Sequence, residues 1–165
     1  MIKSLYEIIK KDYQRLGWPI SKALISAEFN AVLSFRIYQY IYINISKKLG
    51  YYFYNRAKKK YNVDINPNAY IEEGFVIVHI GAIVIGGGCR VEKNCSIQSC
   101  VTVGEKEPAG GMPHIGKSCY LGTGAKVLGS IVLGDNIVVG ANSVIVHSFR
   151  ENDIKLAGIP AKKLT

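Results

Sequence analysis

From Ile115 onward the chain places an aliphatic residue every six positions: Ile115, Leu121, Val127, Leu133, Val139 and Ile145. Gly follows at 116, 122, 134 and 140, and the fifth place of each hexad holds Cys119, Ala125, Ile131, Ile137, Ser143 and Phe149. A helix repeats its apolar positions every three to four residues and an isolated strand every two. A period of six suits neither, but it suits a solenoid of short strands that turn sharply and stack on the coil below. Ile65, Ile71, Ile77 and Ile83 keep the same spacing. The phase then slips by two residues to Ile85, Val91, Ile97 and Val103. Between Val103 and Ile115 lies GEKEPAGGMPH, whose glycines and prolines do not fit stacked strands and predict a loop extruded over 104–113.

Residues 1–62 follow a different rule. Ile2, Leu5, Ile8, Ile9, Tyr13 and Leu16 fall near helical spacing and predict an amphipathic helix over 2–16, stopped by Trp18-Pro19. A second helical stretch is expected from Ser21 to Lys48, ending near Gly50, followed by the basic aromatic run YYFYNRAKKKY. The expected organisation is therefore a helical, basic and aromatic-rich segment over 1–62 and a β-solenoid over 63–165.

Charge sharpens this division. The net charge of +9 lies wholly in residues 1–62, with twelve Lys/Arg against three Asp/Glu, while residues 63–165 hold nine of each. Nine of the eleven tyrosines are in the same segment. Two readings of Tyr51 to Lys60 stay open: aromatics packed helix to helix with solvated lysines, or a face that meets an anionic membrane surface. No nucleic-acid motif accompanies the charge, and no nucleic-acid partner is expected. No run is apolar enough to span a bilayer, and Met1 to Gly17 lacks the order of a signal peptide, so a cytoplasmic location is expected. Cys89, Cys95 and Cys119 occupy fifth places of their hexads and Cys100 the fourth. They read as reduced thiols that fill volume, because their spacing is not that of paired zinc knuckles.

Three histidines are present, His79, His114 and His147. The stretch VDINPNAYIEEGFVIVHIGAIVIG, with Asp64 fifteen residues before His79, resembles the part of the serine acetyltransferases and capsule-type polysaccharide O-acetyltransferases that carries the catalytic His. KVLGSIVLGDNIVVGANSVIV and the terminal AGIPAKKL resemble the same hexapeptide-repeat acyltransferases. The resemblance covers roughly residues 63–165 well and the N-terminal helices loosely. It implies a left-handed parallel β-helix of triangular section, a handedness that periodicity alone does not supply. Three hexads then form an 18-residue coil, and the prism holds four to five coils.

The resemblance also implies roles. His79 matches the general base that takes the proton of an acceptor hydroxyl as its oxygen attacks the thioester of acetyl-CoA, a task suited to a neutral imidazole at neutral pH. Asp64 matches the carboxylate that fixes the imidazole tautomer. Gly122, Thr123, Gly140 and Ala141 match positions lining the groove for the pantetheine arm, and Lys162 matches a basic residue at the coenzyme's phosphates. His114 and Met112, at the loop's end, are candidates for binding the acceptor, although His114 also suits a cap on the coil's re-entry. His147 is expected near the coenzyme side. No metal is expected, because gaps of 35 and 33 residues between the histidines do not match a shared zinc site. A homotrimer is implied, with the site between neighbouring prisms.

Two positions depart from the serine enzymes. Where those carry Asp before the catalytic His and Arg-His-Pro at the loop's end, this chain has Val78 and Gly111-Met112-Pro113. A zwitterion loses its partners there, whereas a neutral sugar hydroxyl does not need them. The sequence thus favours acetyl transfer to a sugar of a surface-polysaccharide precursor. Serine O-acetylation is the alternative within the class, and a non-catalytic β-helix binding or assembly module is the alternative outside it.

Overall fold

The computed structural model describes residues 4–164. Four helices come first: α1 (Leu5–Leu16), α2 (Ile20–Ile25), α3 (Ala27–Asn44) and α4 (Lys47–Tyr61). Residues 2 and 3 of the expected first helix lie outside the described residues. The expected helix from Ser21 to Lys48 is broken twice, and serine is the cause at both breaks. Ser26 caps α3 by accepting from the Phe29 N–H at 3.0 Å, and Ser46 caps α4 by accepting from the Leu49 N–H at 3.4 Å. Gly50 does not end a helix. It sits inside α4 because a Cβ there would fall 2.5 Å from the Cβ of Tyr42, so its missing side chain lets α3 and α4 cross closely. The basic aromatic run is therefore helical, and α4 ends at Asn62 in the left-handed conformation.

The rest is a parallel β-helix of three sheets and five coils. Sheet A contains β1 (Val63–Ile65), β4 (Ile83–Ile85), β7 (Thr102–Gly104), β10 (Lys126–Leu128) and β13 (Val144–Ile145). Sheet B contains β2 (Tyr70–Ile71), β5 (Arg90–Val91), β8 (His114–Ile115) and β11 (Val132–Leu133). Sheet C contains β3 (Val76–Ile77), β6 (Ser96–Ile97), β9 (Tyr120–Leu121), β12 (Val138–Val139), β14 (Lys155–Gly158) and β15 (Ala161–Lys163). All pairs are parallel except β14 with β15, where the tail folds back as a hairpin. The hexad aliphatics form the core: Ile77, Ile97, Leu121 and Val139 stack inside sheet C, and Ile85, Val103, Val127 and Ile145 inside sheet A.

Cys89, Cys95 and Cys119 are buried among these side chains, and Cys100 is exposed. Burial pushes the Cys89 thiol up to about 11.

The helices are fastened to the first coil by a buried ion pair. Arg36 donates from Nε to Asp12 at 2.8 Å and from its two terminal nitrogens to the carbonyls of Ile71 (2.6 Å) and Glu72 (2.7 Å). Asp12 in turn accepts from the N–H groups of Gly74 (2.7 Å) and Phe75 (3.0 Å). Tyr38 adds a hydrogen bond to the Ile65 carbonyl at 2.6 Å. Edge-to-face contacts run from Phe35 through Tyr38, Tyr54 and Tyr51 to Tyr42, with centroids 5.3–5.9 Å apart, joining α3 to α4.

Candidate active site

The candidate residues fall along two edges of the prism, with sheet A between them. The first edge is where the chain passes from sheet C to sheet A. It carries Val78-His79 between β3 and β4, Gln98-Ser99-Cys100 between β6 and β7, Gly122-Thr123 between β9 and β10, and Gly140-Ala141 between β12 and β13. These corners stack directly. The Cys100 N–H donates to the Gly81 carbonyl (2.7 Å), Gly124 to Ser99 (2.9 Å) and Asn142 to Thr123 (2.8 Å). The structure thus brings His79 and the four candidates for the pantetheine groove, Gly122, Thr123, Gly140 and Ala141, onto one line, with coils about 4.8 Å apart.

His79 protrudes from that line for a reason visible in the register. Ile77 to Ile85 takes eight positions, whereas Ile97 to Val103, Leu121 to Val127 and Val139 to Ile145 each take six. The two-residue phase slip is therefore spent at the His79 corner, before β4. Ile83 and Ile85 are both buried within that strand. His79 is exposed, and among the described residues its ring makes no hydrogen bond.

Higher on the edge, side chains vanish. A Cβ on Gly122 would lie 2.8 Å from the Ala141 nitrogen and the Val139 carbonyl oxygen, so any larger residue at 122 would push the coils apart. Thr123 and Ala141 are exposed and small. Gln98 donates from Nε2 to the Tyr120 hydroxyl at 2.6 Å just outside the line.

Asp64 is on sheet A, where its Cα partner is Val84, five residues beyond His79. Its carboxylate is not bonded to His79. One oxygen accepts from the Tyr54 hydroxyl and the other from the Lys58 ammonium, both on α4. Burial, then Asp64 beside it, holds the Tyr54 hydroxyl well above its ordinary value.

The second edge, from sheet A to sheet B, carries the loop after β7. Met112 turns its thioether inward, with Sδ 3.8 Å from Cys89 Sγ and against Gly86 and Gly88, so it anchors the loop. His114 opens β8 and pairs with Glu92 through Nε2 at 2.8 Å. His147 also lies on this edge and is exposed, with sheet A between it and the coenzyme-side residues. In one chain neither His114 nor Met112 shares an edge with His79. Lys162 is exposed on β15 opposite Ala157. Among the described residues no group of three or more His, Cys, Asp or Glu is placed to hold a metal ion.

Gln98 and Ser99 were not singled out in the sequence, and Cys100 was read there only as a volume-filling thiol, whereas it is exposed on this edge. Their place on the edge follows from counting hexads after allowing for the two-residue slip and the loop. That count sets His79, Ser99, Thr123 and Ala141 in one column.

Comparison with known proteins agrees with this architecture. Residues 112–147 match the family described as bacterial transferase hexapeptide (six repeats). A serine acetyltransferase of Buchnera aphidicola subsp. Acyrthosiphon pisum is 30% identical over 165 residues, covering 98% of this chain and 60% of the relative. The structure of a serine acetyltransferase in complex with cysteine superposes with a TM-score of 0.88 at 30% identity, covering 98% of this chain and 70% of the other. That of a Brucella abortus serine acetyltransferase in complex with coenzyme A does so with a TM-score of 0.89 at 27% identity, covering 96% and 67%. The chain belongs to the hexapeptide-repeat transferase family and is a homologue of serine acetyltransferases. It spans half to two thirds of the length of the curated relatives it matches.

Proposed function

We propose that this chain is an acetyl-CoA-dependent O-acetyltransferase with His79 as its general base. The observation that carries the proposal is the single edge shared by an exposed, unpartnered imidazole and a column of small residues. Such a column fits an unbranched thioester arm: Gly122 and Gly140 offer backbone without side chains, and Thr123 and Ala141 leave the edge open. Relatives of this fold that bind coenzyme A support the same assignment.

In this reading His79 takes the acceptor's hydroxyl proton as the oxygen attacks the thioester carbonyl. The tetrahedral intermediate collapses with cleavage of the C–S bond, and the imidazolium returns the proton to the departing thiolate. The thioester is already activated, so no covalent enzyme intermediate is needed. Asp64 keeps capacity for a third donor; to orient the imidazole it must receive the ring N–H alongside Tyr54 and Lys58. Lys162 would meet the coenzyme's phosphates.

The names of the relatives make L-serine the first acceptor to consider. A neutral hydroxyl, such as that of a sugar in a surface-polysaccharide precursor, is the second reading. One specific observation favours it: Val78 and Gly111-Met112-Pro113 put no charged side chain beside His79 or at the loop's end. An acceptor panel followed by release of free coenzyme A thiol separates the two. Efficient turnover of serine supports the first reading; turnover confined to sugars supports the second. No transfer from acetyl-CoA to any acceptor would defeat both.

A cyclic trimer would bring the loop edge of one copy against the His79 edge of the next, since a head-to-side contact must close or propagate. Ultracentrifugation should give three chains. A fully active monomer would show that one edge suffices.

A further inference from the structure

We infer that the outer face of α3 and α4 is a docking surface for an anionic lipid bilayer, a conclusion that rests on the helices and not on acetyl transfer. An open groove of about 920 Å³ runs between the two helices, with Ile37, Tyr52, Phe53, Arg56, Lys59 and Lys60 among its walls. The register of α4 produces this face. Gly50, Tyr54, Ala57 and Tyr61 recur at helical spacing and turn inward, so Leu49, Phe53, Arg56 and Lys60 form a line on the flank about 100° round the helix, with Tyr52 and Lys59 beyond it on the far side.

Two features of that side are unusual together. Large apolar groups stand in water: Ile37 is 42% exposed, Tyr52 53%, Phe53 40% and Leu49 42%. Next to them, Arg56, Lys59 and Lys60 form no ion pair with any described carboxylate, whereas the neighbouring Lys58 is held by Asp64. Arg56 lies over the Tyr52 ring at 5.9 Å instead. The helix C-terminus favours cations in its last turn, but that effect does not explain the apolar half of the face.

A bilayer interface satisfies both halves, because cations meet lipid phosphates while aromatic and aliphatic side chains enter the headgroup boundary. A nucleic acid would answer the cations and leave Ile37, Leu49 and Phe53 in water. The sequence adds charge complementarity, since the whole excess of +9 resides in the segment that contains these helices.

The test is co-sedimentation of the full chain with phosphatidylcholine vesicles, with or without phosphatidylglycerol, at low and high salt. Binding is expected only to the anionic vesicles and should fall as salt rises. The triple variant Arg56→Gln/Lys59→Gln/Lys60→Gln should partition on the order of a hundredfold more weakly. Phe53→Ser should weaken partitioning while leaving its salt dependence unchanged. Circular dichroism establishes that the variant helices remain; if they do not, the lipid and salt dependence of the unaltered chain decides. Equal binding to neutral vesicles, an unchanged triple variant, or displacement from vesicles by short duplex DNA would overturn the inference.

Discussion

Arg36 and Asp12 meet at 2.8 Å with side-chain exposures of 2% and 1%, and between them they satisfy two carbonyls and two N–H groups of the first coil. The pair is the joint by which the helices grip the solenoid. Burial opposes ionisation of Asp12, and the Arg36 guanidinium works against that tendency.

Removing one partner leaves the other charge buried and unpaired. Arg36→Ala should cost about 3–5 kcal/mol, read from denaturant unfolding of the assembled protein. Combining Arg36→Met with Asp12→Asn should cost less than the sum of the two single changes. Strict additivity would mean that the pair is not a unit.

His79→Ala should leave the melting temperature close to that of the parent, because the ring is exposed and makes no hydrogen bond among the described residues. Turnover should fall by about 10²–10⁴, the usual worth of a general base. Tyr54→Phe tests the neighbouring carboxylate: it keeps the ring contacts with Tyr38 and Tyr51 while removing the hydrogen bond to Asp64. A change in the pH profile of turnover is expected if Asp64 works with His79, and stability alone should move if Asp64 only anchors α4.

Gly122→Ala inserts a methyl group 2.8 Å from two backbone atoms of the next coil. Overpacking of this kind costs about 1–3 kcal/mol, and calorimetry should show a lower melting temperature. A weaker grip on coenzyme A should accompany it, since the coils separate at the proposed groove.

The thiols give a readout of both fold and edge. Of four cysteines only Cys100 is exposed, so one thiol should react quickly in the native protein and three only on unfolding. Coenzyme A should slow that reaction, because Cys100 lies between the corners of His79 and Thr123. Cys89 adds a pH effect. Its folded-state value is raised from 9.0 to about 11, so the folded chain keeps a proton that the unfolded chain releases. Stability from this group is present below pH 9 and declines as pH climbs towards 11, which urea midpoints across that range will register.

The solenoid was legible because each coil repeats one packing problem, and the hexad aliphatics solve it the same way each time. Gly50 misled because a glycine at helical spacing signals either an end or a close crossing, and only the Tyr42 backbone opposite decides between them. Ser26 and Ser46 held the missing information about helix breaks. The edge was half legible: Thr123 and Ala141 are a plain 18 residues apart, but relating His79 to them requires placing the two surplus residues in the correct corner. The separation of His114 and Met112 from His79 was not legible, since it depends on which sheet each corner joins. The partners of Asp64 come from α4, and no local pattern around Asp64 announces a tyrosine ten residues upstream.

The eight-position passage that carries His79 separates what the repeat needs from what the proposed chemistry needs. Every other crossing on that edge is fixed by the stacking of its neighbours, and a lengthened one there would disturb coils on both sides. At the His79 corner the surplus is absorbed before β4, and the hexads resume in phase with the coil above. Excising two residues from that corner would restore the six-position spacing of the other crossings on that edge and draw the imidazole back towards the prism. The protein would then be a more regular solenoid and, in the reading advanced above, no longer a catalyst.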